Sequence, residues 1–306
     1  MPVSQLLDWF SQKKRDLPWR KSKDPWGVWV SEIMLQQTRV EAVIPYWHRF
    51  MDLYPSPESF AAASEKDILK IWAGLGYYRR VRMLHQAAKM VVKMGGEYPV
   101  TAEEWKRLPG VGGYASAAIA SIVNGEAVAV VDGNVKRVAA RQQSLTHLAG
   151  STALHKASAV WAQAWMDTRG PVAPGKLNEA IMELGATVCT PRAPQCEKCP
   201  VFSSCTAESP LDYPVAAKKK SWTQLYFAVG LRGDEHQCLL RQRKEGWNSG
   251  FWEPPMASLS SKTADASDSW KKEHPKLGAL QEYLGTVRHT ITHHKITADV
   301  YRLQSD

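Results

Sequence analysis

No run of the roughly 18 apolar residues that a bilayer-spanning helix needs occurs anywhere in this 306-residue chain. Its first ten residues carry no basic stretch followed by an apolar one, so no secretory leader is read and the expected location is cytoplasmic. No internal repeat is evident. Cysteine is scarce, at five residues. In a reducing compartment so few are poorly explained by disulfides, and four of them crowd between positions 189 and 205. That crowding points to a metal centre. Acidic residues are outnumbered, with Lys+Arg at 39 against Asp+Glu at 30 and a pI near 9.2. The excess holds on both sides of residue 210, which suits a polyanionic partner such as nucleic acid.

The length suits two domains. From Val3 to about Cys205, apolar residues recur at three- and four-residue spacing, broken by short turns, which predicts helices. Thr38 with Glu41, and Thr101 with Glu104, have the spacing of capping boxes, leaving Gln36 and Gln37 in an inter-helix turn. Past Cys205 the texture changes. Pro210, Pro214 and the run Lys218-Lys219-Lys220 read as a linker over 209–221, and residues 225–231, 237–241 and 296–303 read as strands. A smaller sheet-containing domain is therefore expected over 222–306. The polar stretch 258–276 reads as a mobile loop.

The most specific motif is Cys189-x6-Cys196-x2-Cys199-x5-Cys205. Structural zinc usually takes two separated knuckles, whereas one x2 gap flanked by longer ones favours a [4Fe-4S] cluster. Zinc remains the alternative. Cys238, outside this spacing, reads as a buried apolar residue. Leu108-Pro109-Gly110-Val111-Gly112-Gly113, followed by small residues, looks like the turn of a helix-hairpin-helix. Gly110 and Gly112 would let the backbone approach a phosphate, and the next helix would offer it free N–H groups. Two carboxylates stand out by position. By themselves, Glu32 reads as a first-turn acid and Asp132 as an N-cap for a helix starting at Gly133.

Hairpin, Asp132 and four cysteines in this order resemble the endonuclease III superfamily of DNA glycosylases. Leu35-Gln36-Gln37-Thr38, Gly74-Leu75-Gly76-Tyr77-Tyr78 and Val131-Asp132-Gly133-Asn134-Val135-Lys136-Arg137 resemble its adenine DNA glycosylase branch, the MutY family, over residues 3–208. The resemblance implies a multi-domain chain. An all-α helix-hairpin-helix glycosylase domain would span 1–208, with its cluster loop at 189–205, and an α+β Nudix-like lesion-recognition domain would follow at 222–306. That second domain is either minimal or truncated, and it lacks the clustered glutamates of a Nudix pyrophosphatase.

The implied activity is hydrolytic removal of adenine mispaired with 8-oxoguanine or guanine in double-stranded DNA, by a monomeric enzyme of base excision repair associated with the nucleoid. Glu32 would protonate adenine N7, and Asp132 would face the sugar cation, with Tyr114 and Asn134 holding the geometry. Tyr114 stands where bifunctional relatives carry a lysine. A phenol forms no Schiff base, so the enzyme should be monofunctional, with Lys136 the one adventitious amine nearby. Trp19, Arg20, Leu35 and Glu179 would surround the extruded base, while Gln37, Thr38 and Tyr77 face the duplex beside three arginines, Arg79, Arg80 and Arg82, for phosphates. The family's lesion-reading Phe-Ser-His turn aligns with Ile291-Thr292-His293, leaving Thr292 and His293 as candidate contacts. A thymine mismatch glycosylase and a catalytically silent DNA-binding module are the other readings. Binding to duplex DNA should weaken steeply with added salt, because lysines and arginines displace counterions; salt-insensitive binding in a filter or anisotropy titration contradicts this.

Overall fold

Side chains that catch orphan N–H groups mark several helix starts in this chain, among them Asp24, Ser56, Ser64, Thr101, Asp132 and Ser151. The computed structural model describes residues 2–21, 24–217, 221–234 and 236–304. The chain divides into two units, Met1–Ala217 and Lys218–Asp306. The lysine run of the expected linker lies outside the described residues. In the first unit, α1 (Pro2–Lys13), α2 (Pro25–Met34), α3 (Val40–Leu53), α4 (Pro57–Ala61), α5 (Glu65–Trp72) and α6 (Arg79–Lys93) lead to α7 (Ala102–Trp105). Then come α8 (Gly113–Ile119), α9 (Gly133–Gln142), α10 (Thr152–Asp167) and α11 (Pro174–Thr187). Asp24 caps α2 through the N–H groups of Trp26 and Gly27, and Pro25 follows at the first helical position, where its missing N–H costs nothing.

The capping box of Thr101 and Glu104 is present at the start of α7. The one expected at Thr38 is not. The cap of α3 is Arg39, without a side-chain bond, and the Thr38 hydroxyl instead accepts from Arg80 at 3.1 Å. Between α7 and α8 the hairpin turns at Gly110 with φ of +80°, and a Cβ there would lie 2.9 Å from that of Met83. The close approach to α6 therefore excludes any larger residue. Beyond Ile119 the helix widens into a π-helical turn, Ala120–Asn124, a local distortion often found at functional sites.

The helical unit has two cores. One gathers Trp26, Trp29, Trp72, Trp105, Phe50 and Phe60 from α2 through α7. The other joins α1 to α9, α10 and α11 through Leu6, Phe10, Val138, Met166, Ile181 and Leu184, and reaches Val201 in the cysteine loop. Between them lies a small seam of Ala117, Ala118 and Val130 bordered by Tyr114 and Met182. The candidate residues Glu32 and Asp132 lie on a cleft that Tyr114 and Met182 of this seam also line.

The second unit holds a four-stranded sheet of order β4-β1-β6-β5, built from β1 (Thr223–Leu231), β4 (Met256–Leu259), β5 (Leu280–Ile291) and β6 (His294–Leu303). β1 and β6 run parallel, and the other neighbours are antiparallel. A separate two-residue ladder pairs β2 (Arg241–Gln242) with β3 (Trp252–Glu253). Three expectations fail here. Residues 237–241 form no strand of that length; a single bridge, Gly233 to Cys238, precedes β2. Cys238 is exposed rather than buried. The stretch 258–276 contains α12 (Ala266–Glu273), capped by Asp265, whose Trp270 is buried against Ala257 and Leu303. One tryptophan suffices to dock a helix that is otherwise polar, and polarity alone had read as a loop.

In the helical unit α11 crosses α9 at Gly185, where an added Cβ would lie 2.6 Å from that of Asn134. The Gly185 carbonyl and the Asn134 side chain both accept from Arg137, at 2.7 and 2.8 Å. Gly185→Ala should therefore lower the unfolding free energy by about 1–3 kcal/mol through overpacking; a urea midpoint equal to wild type contradicts this contact.

Candidate active site

Glu32 lies in the last turn of α2, not the first, so the dipole argument that would make it a helix-stabilising acid runs the wrong way. It is 5% exposed, and its Oε2 has no hydrogen-bond partner. Burial pushes its carboxyl up to about 7, and the negative charges of Glu179 and Asp132 add to that shift. A hydrogen bond with Tyr114 and the charge of Arg20 work against it. The Tyr114 hydroxyl is also 3.8 Å from the Met182 sulfur. Its own ionisation is pushed well above the ordinary range, chiefly by burial.

Asp132 caps α9, as its position suggests, accepting from the Val135 N–H at 2.7 Å and from the Asn134 amide at 2.9 Å. Burial raises its carboxyl above the usual value, while these bonds and the charge of Arg137 pull it back. The two acids differ in one physical respect. Asp132 spends its oxygens on fixed donors, whereas Glu32 keeps one oxygen free.

Both acids open on a cleft of about 350 Å³. Trp19, Arg20, Leu35, Thr38, Tyr114, Asn134 and Glu179 line it too, as do Ser121 and Ile122 of the π-helical turn. Gln37 and Gly112 border an adjoining depression with Asp132, where α8 and α9 begin. Gly112 is the N-cap of α8, without a side-chain bond, and Asp132 that of α9. Tyr77 and Gly110 line neither hollow; Tyr77 is 51% exposed on the turn before α6. Lys136 does not line the cleft. Thr292 and His293 form the tight turn between β5 and β6 in the other unit, with Thr292 at φ of +54°. Of the three arginines assigned to phosphates, Arg82 pairs with Glu65 at 2.7 Å and Arg80 is buried. Only Arg79 is placed as a surface cation.

Sequence reasoning missed half of the wall opposite Glu32. Arg20 Nε donates to Glu179 at 2.9 Å, and its Nη2 donates to Glu183 at 3.0 Å. Glu183 also accepts from the backbone and guanidinium of Arg15. Burial works to raise the Glu183 carboxyl, but the Arg15 and Arg20 contacts outweigh it and hold it low. Burial raises Glu179, and Arg20 counters it. The four-residue spacing of Glu179 and Glu183 on α11 puts them on one face, a signal available in the sequence. Arg15 lies 168 residues away from its partner and has no local signature.

The four cysteines all lie half-buried after α11. Burial pushes the Cys199 thiol up to about 11, and the negative charges of Cys189, Cys205 and Cys196 add to the effect. Arg141 Nη1 donates to the Cys189 sulfur at 3.3 Å, and Cys205 donates to the Arg141 carbonyl at 3.3 Å. Among the described residues, no group of three or more His, Cys, Asp or Glu side chains closes on a single ion.

Hairpin, N-capping aspartate and buried glutamate around one cleft define a helix-hairpin-helix glycosylase, and residues 30–163 match the model of the HhH-GPD superfamily of base excision DNA repair proteins. The chain is 35% identical over 367 residues to the adenine DNA glycosylase of Mus musculus, covering 99% of this chain and 70% of that protein. To the adenine DNA glycosylase of Homo sapiens it is 47% identical over 212 residues, covering 66% of this chain and 38% of that protein. A solved structure, that of a thermostable thymine-DNA glycosylase, shares 30% identity at a TM-score of 0.60, covering 67% of this chain and 93% of the other. The chain belongs to the adenine DNA glycosylase family. Among the described residues no helix is long and apolar enough to cross a membrane.

Burial of Glu32 has a pH signature. Its folded value near 7 exceeds the ordinary 4.5, so between these pH values the native state binds a proton that the unfolded chain releases. Stability contributed by this group is full below about 4.5 and is lost as pH rises through 7, by on the order of 3 kcal/mol. Relative to wild type, Glu32→Gln should gain stability between about pH 5 and pH 8. A pH-independent difference in unfolding free energy contradicts the burial assignment.

Proposed function

We propose that this protein is a monofunctional glycosylase that extrudes adenine from a mispair with 8-oxoguanine or guanine and hydrolyses its N-glycosidic bond. The observation that carries the reading is the unpartnered, buried Oε2 of Glu32 on the same cleft as Asp132. Protonated Glu32 gives its proton to adenine N7, and the electron pair of the breaking C1′–N9 bond leaves with the base. The ionised carboxylate of Asp132, held by Val135 and Asn134, faces the positive charge that grows on the sugar. Two carboxyls in unlike environments divide acid and electrostatic work in this way. Water then adds at C1′, losing its proton to the ionised Glu32. Tyr114 supplies no amine, and strand cleavage through a Schiff base is not part of the reaction.

Trp19, Leu35, Arg20 and Glu179 bound the extruded base, and Gln37, Tyr77, Gly110 and Gly112 meet the duplex. Cys189, Cys196, Cys199 and Cys205 hold a [4Fe-4S] cluster. The single x2 gap flanked by longer ones, in a loop braced by Arg141, favours a body several atoms across over one zinc ion, whose sulfurs would each lie about 2.3 Å from a single point. Held by these four thiolates, such a cluster would stiffen the loop and would leave the hydrolytic work to the carboxyls. The second unit is read as a Nudix-like lesion reader, presenting Thr292 and His293 at a hairpin tip.

Single-turnover release of adenine opposite 8-oxoguanine, with Glu32→Gln alongside, tests the assignment. The variant should lose at least about 100-fold in rate with duplex affinity nearly unchanged. Undiminished release by the variant overturns the role of Glu32. The likeness to a thymine-DNA glycosylase makes thymine opposite guanine the second substrate to run, and faster release of thymine than of adenine overturns the substrate.

A further inference from the structure

Arg80 lies three residues after the exposed Tyr77, in a run of arginines that looks made for phosphates, yet it faces inward and is only 8% exposed. Its Nη1 donates to the carbonyl oxygens of Ile33 at 3.1 Å and Met34 at 2.8 Å, and to that of Gln36. Its Nη2 donates to the carbonyls of Leu75 at 3.3 Å and Gly76 at 3.2 Å, and to the Thr38 hydroxyl. These acceptors belong to two separate turns. Ile33 and Met34 offer the orphan carbonyls at the end of α2, where a cation is favoured, and Gln36 and Thr38 belong to the turn that follows. Leu75 and Gly76 form the turn before α6.

Each turn exposes one non-glycine residue in the left-handed region, Gln37 at φ of +58° and Tyr77 at φ of +49°. Such residues persist only where the surroundings over-determine them. The guanidinium also stacks 5.4 Å from the ring centre of Tyr77 and 5.5 Å from that of Trp72, and Trp72 Nε1 donates to the Gly76 carbonyl at 3.1 Å. Only a planar, multiply donating cation can serve both turns and stack as well; an ammonium has three donors on one atom and no plane.

We propose that Arg80 is a positioning residue that locks the turns at 35–38 and 74–77 into one rigid wedge, so that Gln37 and Tyr77 enter the duplex at a fixed separation. This rests on the glycosylase reading above. The clamp acts on extrusion of the base and leaves the chemistry at Glu32 and Asp132 alone. Its loss should therefore matter most where the target adenine is stacked and paired, and least where extrusion costs little.

The test compares the full-length wild type with Arg80→Met and Arg80→Lys in single-turnover adenine release from two DNAs. One carries adenine opposite 8-oxoguanine in an intact duplex, and the other carries adenine in an unpaired bubble. Arg80→Met should slow release from the intact duplex by between about tenfold and a hundredfold, the scale of a small misplacement, and release from the bubble by no more than about twofold. Arg80→Lys should restore little. Trp72→Phe, which removes the bond to the Gly76 carbonyl and weakens the stack on Arg80 while sparing the buried charge, should show the same split at smaller size, and it carries the test if the Arg80 variants do not fold. Equal losses on both DNAs, full activity on the intact duplex, or full rescue by lysine overturns the clamp. Absence of adenine release by wild type from either DNA overturns the glycosylase reading instead.

Discussion

A carboxyl group that keeps its proton near neutrality has to be withheld from water and from close cations, and the helical unit meets that constraint at Glu32. Burial is the dominant cause of its raised ionisation, and burial needs walls. Trp29 and Ile33 on its own helix are almost fully enclosed, and Val28, Leu17 and Leu35 reach the cleft from neighbouring backbone. The two cores are separate bodies joined along a seam of small residues, and a carboxyl between them gains a low-dielectric setting without being sealed from a ligand. An acid in the middle of either core would be equally desolvated and useless.

Arg20 is the nearest threat to that arrangement, because a guanidinium beside Glu32 would favour its ionised form. Glu179 and Glu183 answer it. Both accept from Arg20, and Glu183 accepts from Arg15 as well, so the positive charge on this wall is matched before it reaches Glu32. Charge-assisted bonds of this kind are short and directional, and they fix the guanidinium planes along the cleft. The wall that remains is polar and geometrically defined without being a strong cation. Glu179 is itself raised by burial, and its charge, when present, reinforces the protonated state of Glu32.

How much of this was legible depended on whether the decisive interaction is local in the chain. The Asp132 cap, the Thr101 box and the hairpin at Gly110 are local, and the motifs carried them. The helical character of α1 to α11 followed from periodicity, and β1 and β6 were read as strands, whereas β5, from Leu280 to Ile291, was not. The Thr38 box failed because a spacing match cannot know that Arg80 competes for the hydroxyl. The helix at Ala266–Glu273 escaped because its docking depends on one tryptophan, and composition averages one residue away. The pairing of Arg15 with Glu183 was hidden for a third reason, since partners separated by 168 residues leave no periodic trace. The carboxylate roles of Glu32 and Asp132 came from the family likeness; position alone had offered only helix-end electrostatics for both.

Arg80 shows what a residue-type reading cannot reach. In Tyr77-Tyr78-Arg79-Arg80-Val81-Arg82 three cations look equivalent, and the helix phase separates them: Arg79 points outward, Arg82 crosses to Glu65, and Arg80 turns under the first turn of α6. Its six acceptors are carbonyls and a hydroxyl left over where α2 ends and where the backbone bends at Gly74 and Gly76, both at positive φ. Turns exposed to a ligand are short of internal partners, and one buried guanidinium supplies two of them at once. The carbonyls of Ile33 and Met34 that Arg80 holds close the helical turn that carries Glu32, but the clamp takes backbone oxygens only, so the two turns are tied together without the acid's side chain entering the network.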